Sequence, residues 1–272
     1  MILDSIPEGE FNSARRLYED LDICATAYSP TPGIAYLRVK NKSQLFNYLE
    51  QLRIQSEQNH ALPLLHVESH GYEDGLQLAD GSLVSWEHLK KGLIPLNTSM
   101  RLNLMVVLAS CFGGALTKAL IPSDRAPVWG LIGPAQEVSA GEVERDFGTF
   151  YRTLFSSGSP KDALDTLNKV SQKDLYYRTT AEGFFYRVWQ NYKEKLCTPG
   201  KLKMRARRMR KRAKELKILP LPTAAEFKKK LVLEEPDAFN KFRDCFFMCD
   251  LYPENQERFS VTYEKAEAFK SP

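Results

Sequence analysis

The chain has 272 residues, 43% of them hydrophobic and 11% aromatic, which is enough apolar material for a folded core and too much for a disordered chain. No apolar run approaches the length that spans a bilayer, and acids precede any apolar run at the start, unlike a secretory signal. The net charge of +4 is uneven: ten Lys or Arg stand against one acid over residues 200–217, a +9 segment on a −5 remainder.

Asn12 or Ser13 caps an expected helix over residues 12–20. Residues 23–28 read as a first strand, closed by the turn-rich residues 29–33, and residues 34–39 as a second. A helix follows over 43–55, with Leu45, Leu49 and Leu52 at helical spacing. Residues 64–71, LLHVESHG, form a buried strand ending in His70-Gly71, and residues 75–84 alternate about Asp80-Gly81 as a hairpin. Ser85 caps a short helix over 86–91, and a loop is expected near residues 95–100.

Residues 104–114, LMVVLASCFGG, are rich in β-branched residues and read as a central buried strand that delivers Cys111 to its carboxyl end. Another strand covers 128–132. Ser139 then caps a helix bearing Phe147, Phe150, Tyr151 and Leu154, and Ser159-Pro160 opens the next, with Ala163, Leu164 and Leu167. From residue 175 the signals turn helical and charged: a capping box at 179–182, a helix to 196, a break at Thr198-Pro199-Gly200, the basic helix, a second break at 220–222 and a helix from Thr223. The alternation over 21–170 predicts an α/β fold, a doubly wound, mostly parallel sheet flanked by helices. Residues 1–174 form the expected α/β domain, and residues 175–272 a helical C-terminal appendage that includes the basic amphipathic helix 201–217.

Chemistry concentrates at two strand ends. If the strands carrying His70 and Cys111 are parallel neighbours, a thiol and an imidazole meet where open α/β sheets bind ligands, the minimal equipment for nucleophilic acyl transfer. His66, Glu68 and His70 share one strand face, but no further ligands accompany them, and Cys245 with Cys249 supply only two thiols, so no metal is expected. A cysteine phosphatase needs an arginine six residues after its thiol, where this chain has Thr117. Five sparse cysteines, Cys24, Cys111, Cys197, Cys245 and Cys249, argue for a reducing, cytoplasmic setting and against a disulfide framework.

The order of motifs is distinctive. His70-Gly71 after one buried strand, Cys111 after the next, then VWGLIGP at 128–134 and FGTFYRTLFSSGSPKDAL at 147–164, resembles the caspase-like cysteine peptidases, and among them the bacterial CHAT-type domain, over residues 21–170. The resemblance implies a thiol protease, a cysteine endopeptidase acting on a protein substrate without a cofactor. Cys111 is its nucleophile, and His70 polarises the thiol or protonates the leaving amine. The backbone amides of Gly71 and Cys111 form the oxyanion hole. Glu68 is either a partner that orients His70 or a paired buried acid. The substrate pocket is expected from residues 29–33, Phe112 and the 134–138 loop, with Phe112, Pro134, Ala135, Glu137 and Val138 as its lining. PAQEV at 134–138 departs from the family, which often carries an aromatic there. With no arginine in these loops, an apolar or basic residue is expected before the cut and not an acidic one. Stand-alone peptidases of this kind resemble effectors of bacterial stress or antiphage defence under the control of a regulatory protein partner.

A rival expectation is a non-catalytic binding module. Leu202, Ala206, Met209, Ala213 and Leu216 form a narrow apolar seam on the basic helix, and cations cover the rest, so the helix suits an acidic protein or nucleic acid and not a membrane.

Overall fold

The computed structural model describes residues 1–172 and 174–269. The chain divides into two compact units, Met1–Leu120 with Pro127–Thr180, and Ile121–Ala126 with the chain from Ala181 onward. The first is α/β. Strands β1 (Ile2–Ser5), β2 (Tyr36–Arg38), β3 (Leu65–Tyr72), β6 (Met105–Leu108) and β7 (Gly130–Pro134) run parallel, and β8 (Tyr176–Thr180) runs antiparallel beside β7. The order is β2-β1-β3-β6-β7-β8, and a hairpin of β4 (Gly75–Gln77) and β5 (Leu83–Ser85) hangs on the end of β3. The sheet is thus mixed, mostly parallel and flanked by helices.

Local chemistry sets the helices. Asn12 caps α1 (Ser13–Ala25) by accepting from Arg15 N–H at 2.8 Å, and Ser139 with Glu142 closes a capping box on α4 (Ala140–Ser157). Leu17 and Leu21 of α1, Phe147, Phe150 and Tyr151 of α4, and Leu167 of α5 (Pro160–Val170) pack with Ile2, Val107 and Ile132 of the sheet. Each such side chain contributes roughly 1.5–3 kcal/mol on burial. Helices α2 (Lys42–Asn59) and α3 (Trp86–Ser99) pack on one another through buried leucine stripes, Leu45, Leu49 and Leu52 on α2 and Leu89, Leu93 and Leu96 on α3.

Four expectations are corrected. Residues 23–28 are not a strand: α1 runs through Ala25, because Leu17, Leu21 and Ala25 recur at helical spacing on the core while Ile23 is 78% exposed. The first strand is β1, four buried residues at the start of the chain. The loop expected near 95–100 is helical through Ser99; the stripe continues to Leu96, and its burial outweighs the roughly 3 kcal/mol that Pro95 costs inside a helix. Finally, residues 176–180 form β8, so the α/β unit ends after Thr180, six residues beyond the expected 174. The strand before Cys111 is also short. β6 stops at Leu108, and a 3₁₀ helix (Gly113–Ala119) follows the thiol.

The second unit is helical: α6 (Ala181–Leu196), α7 (Pro199–Glu215), α8 (Ala224–Leu233), α9 (Glu235–Phe246), α10 (Asn255–Arg258) and α11 (Tyr263–Ala268). Its core is aromatic, with the Phe185 ring 5.3–5.5 Å from Phe239, Phe246 and Phe247, and Trp189 edge-on to Phe239 at 5.1 Å. Lys193 bridges Glu235 and Glu267 at 2.9 and 2.7 Å. Of the α7 seam, Ala206 and Ala213 are buried and Leu216 is exposed. Among the described residues no helix is long and apolar enough to cross a membrane.

Candidate active site

The pairing of β3 with β6 opposes Leu65 to Val106, His66 to Val107 and Val67 to Leu108. Carried past the end of β6, the same register opposes Ser69 to Ser110 and His70 to Cys111. Side chains hold it there: Ser69 N–H donates to Ser110 Oγ at 3.2 Å, and the two hydroxyls are 3.3 Å apart. The next step requires a glycine. A Cβ on Gly71 would lie 2.0 Å from the Cys111 carbonyl oxygen and 2.8 Å from its nitrogen, so the Gly71 backbone rests directly on that of Cys111. Gly113 and Gly133 do the same on the far side, where a Cβ on Gly113 would meet Leu108 O at 2.2 Å and one on Gly133 the Gly113 carbonyl carbon at 2.7 Å.

Cys111 is partly buried. Its Sγ accepts from Val138 N–H at 3.5 Å and stands 3.6 Å from Val138 O, so the loop after β7 closes over the thiol. Phe112, next in the chain, takes a left-handed backbone (φ 59°), a strained conformation for a non-glycine residue. Phe112 N–H donating to Gln136 O at 3.3 Å and Ala115 N–H donating to Phe112 O at 2.7 Å hold it.

The imidazole of His70 is half-exposed and bonds through Nε2 to Glu10 Oε2 at 2.8 Å, with no hydrogen bond to Cys111. Glu10 lies in residues 6–12, the loop that follows β1. Strand connections change direction between β1 and β3, and the carboxyl end of such a switch point is where open sheets form their crevice. The loop is anchored by Asp4, wholly buried at the end of β1. Its carboxylate accepts from Ile6 N–H at 2.8 Å, Asn12 Nδ2 at 2.7 Å and Arg38 Nη1 at 2.6 Å, and from the Tyr36 hydroxyl. Burial and the Asp4 charge push Tyr36 up to about 12.

Glu68 does not reach His70. Its carboxylate accepts from Ser13 Oγ and meets His66 Nε2 at 2.9 Å, while His66 Nδ1 meets the Tyr151 hydroxyl at 2.9 Å. Glu68 and His66 are both about 1% exposed. The acid therefore stitches β3 to α1, His66 links it on to Tyr151 of α4, and both His66 nitrogens are occupied as a core residue's are. Burial first, then the Glu68 charge, holds the Tyr151 hydroxyl well above its ordinary range.

The expected pocket is redrawn by the topology. Residues 29–33 precede β2 and so lie at the amino ends of the parallel strands, opposite Cys111; Gly33 lines a separate cavity of about 220 Å³ with Met1 and Leu64. Pro134 is buried within β7, paired with Tyr176, and so unavailable to a ligand. Phe112 is half-buried beside the thiol, and Ala135 and Glu137 are exposed on the loop that covers it. Sequence reasoning missed Glu10, because the first strand was read from 23–28 and not from the short ILDS segment. It also missed Val138 as a backbone partner of the thiol, which leaves no side-chain signature.

No protein-family model matches the chain, and no curated protein matches it.

Proposed function

We propose that the chain is a caspase-like cysteine endopeptidase with Cys111 as nucleophile and His70 as proton donor, whose C-terminal unit is a basic helical appendage. The observation that carries this reading is the register that opposes His70 to Cys111 with the Gly71 backbone laid on that of Cys111. The Cys111 N–H has no backbone acceptor among the described residues, which suits it to receive a developing oxyanion beside Gly71. In the reaction the thiol gives up its proton to His70, Sγ attacks the scissile carbonyl carbon, the C–N bond breaks, and the leaving amine takes that proton from His70. Water then cleaves the thioester and restores thiol and imidazole. Because His70 engages Glu10 and not the thiol, it serves the leaving group. Val138 N–H, directed at Sγ, fixes the position of the sulfur.

The loops following β1, β2, β3 and β7 carry Glu8, Glu10, Glu73, Asp74 and Glu137 against Lys40. That excess of acid favours a basic residue before the cut and opposes an acidic one. The test is labelling of the full chain by peptidyl acyloxymethyl ketones bearing Lys or Asp beside the reactive group, with mass spectrometry to locate the adduct. Burial pushes the Cys245 thiol up and that of Cys249 up to about 11, so near pH 8 these two stay protonated and contribute little background. The Lys probe is expected on Cys111, with labelling lost in Cys111→Ala and slowed in His70→Ala. Equal labelling of Cys24, Cys111 and Cys197, or cleavage that persists in Cys111→Ala, overturns the peptidase reading. A preference for the Asp probe overturns only the specificity.

A further inference from the structure

The cations of α7 are largely uncompensated. Arg205 turns inward, donating to Tyr192 Oη at 3.1 Å, and Arg212 meets Glu215 at 3.4 Å. Apart from these two, every cation from Lys201 to Lys217 lacks an acid within 4.0 Å among the described residues, and each is exposed. Like charges at i,i+3 and i,i+4 repel, so this arrangement destabilises an isolated helix. At 100° per residue the cations other than Arg205 sweep about 220° of the circumference. The remaining arc is covered at Ala206, 1% exposed, and Ala213, 4% exposed, while Leu202 and Met209 are half-buried and Leu216 is exposed; α7 packs on α8, which adds exposed Lys228 and Lys229.

We infer that α7 is a binding element for double-stranded DNA that lies in the major groove with its cations against the phosphates of both walls. A flat anionic surface meets only one side of a helix, whereas a groove meets the flanks as well, and cations on both flanks are what this helix presents. A bilayer would also call for a continuous apolar face, and here Ala206 and Ala213 of the seam are buried and only Leu216, at its end, is exposed. The dimensions agree. Seventeen residues span about 25 Å, and a helix with side chains is about 10–12 Å across, the width of the B-form major groove at about 12 Å. Residues 199–217 contain no aromatic, so stacking on single-stranded bases has no platform. Binding by phosphate contact alone carries no sequence preference.

The experiment is fluorescence anisotropy of the full chain with a 24-base-pair DNA duplex of arbitrary sequence, across a salt series. The comparison probes are the 24-nucleotide single strand, an RNA duplex of equal length, polyglutamate, and vesicles containing phosphatidylserine. Six or more phosphate contacts give a slope of log affinity against log salt of about −5 or steeper, which is a loss of about 10³-fold between 50 and 200 mM. Replacing Arg207, Arg208, Arg210, Lys211 and Lys214 together by glutamine is expected to reduce the magnitude of that slope by about 4, and the pair Arg207→Gln with Arg208→Gln by about 2. A control that removes five cations elsewhere, at Arg15, Lys91, Lys118, Lys161 and Lys169, keeps the slope. The inference is overturned if the control loses as much as the α7 variant, or if the pair variant binds like wild type. It is equally overturned if the RNA duplex, the single strand, polyglutamate or the vesicles bind as tightly as duplex DNA.

Discussion

Gly71→Ala is the most direct probe of the strand-end geometry. The new Cβ would sit 2.0 Å from Cys111 O, and ordinary contact begins at 3.4 Å, so the two backbones must part by about 1.4 Å. Nothing flexible can yield, since all three nearest atoms belong to the Cys111 main chain. Strand β3 is held by β1 on one side, by β6 on the other and by β4 at its end, so the displacement falls on the short segment after Leu108. Overpacking of this kind costs about 1–3 kcal/mol, and with backbone against backbone the upper half of that range applies. For a unit of this size that lowers Tm by about 5–10 °C. A shift beyond 1 Å at the nucleophile costs on the order of 10²-fold in turnover. Differential scanning calorimetry and the rate of Cys111 alkylation by iodoacetamide read the two effects separately, the second without assuming any substrate. Gly141→Ala is the control, since it faces open space in the first turn of α4 and is expected to leave Tm equal or slightly higher. If Gly71→Ala matches wild type in both Tm and alkylation rate, the close approach of the two backbones is wrong, and with it the site.

Glu68→Ala strips His66 and Ser13 of their buried acceptor and is expected to destabilise the α/β unit by roughly 3–5 kcal/mol, with Glu68→Gln costing less. Cleavage per folded molecule should stay within about threefold of wild type, and a hundredfold loss in well-folded protein would instead tie Glu68 to His70. Tyr36, Tyr151 and Tyr176 all have folded-state values raised above the ordinary 10.0, by burial first and then by neighbouring carboxylates. Their contribution to stability is intact below pH 10 and is lost as pH rises beyond it. Urea midpoints measured from pH 9 to 12 should therefore fall, and the 295 nm absorbance of Tyr151 and Tyr176 should appear only with unfolding, while Tyr36 begins to ionise in the folded chain toward pH 12; a midpoint that holds steady to pH 12 would contradict the burial of Tyr151 and Tyr176.

The sequence by itself determined the elements whose signals are local. Periodicity placed Leu45, Leu49 and Leu52 on one helix face, Asp80-Gly81 marked its hairpin, and Asn12, Ser139 and Thr223 marked helix starts, because a capping side chain bonds backbone two or three residues away. It also brought His70 and Cys111 forward as strand-end residues. What it could not give was anything that depends on which strand lies beside which. Residues 2–5 are too short to announce a strand and earn that role only by pairing with both β2 and β3. Once β1 is there, the loop behind it belongs to the site, Glu10 reaches His70 across sixty residues of chain, and residues 29–33 fall to the opposite edge. Glu68 and His70, two residues apart on one strand, were indistinguishable as partners until α1 and α4 supplied Ser13 and Tyr151 to enclose the first pair. The requirement for glycine at 71 likewise follows from a backbone forty residues away, an excluded volume that only the packed sheet creates.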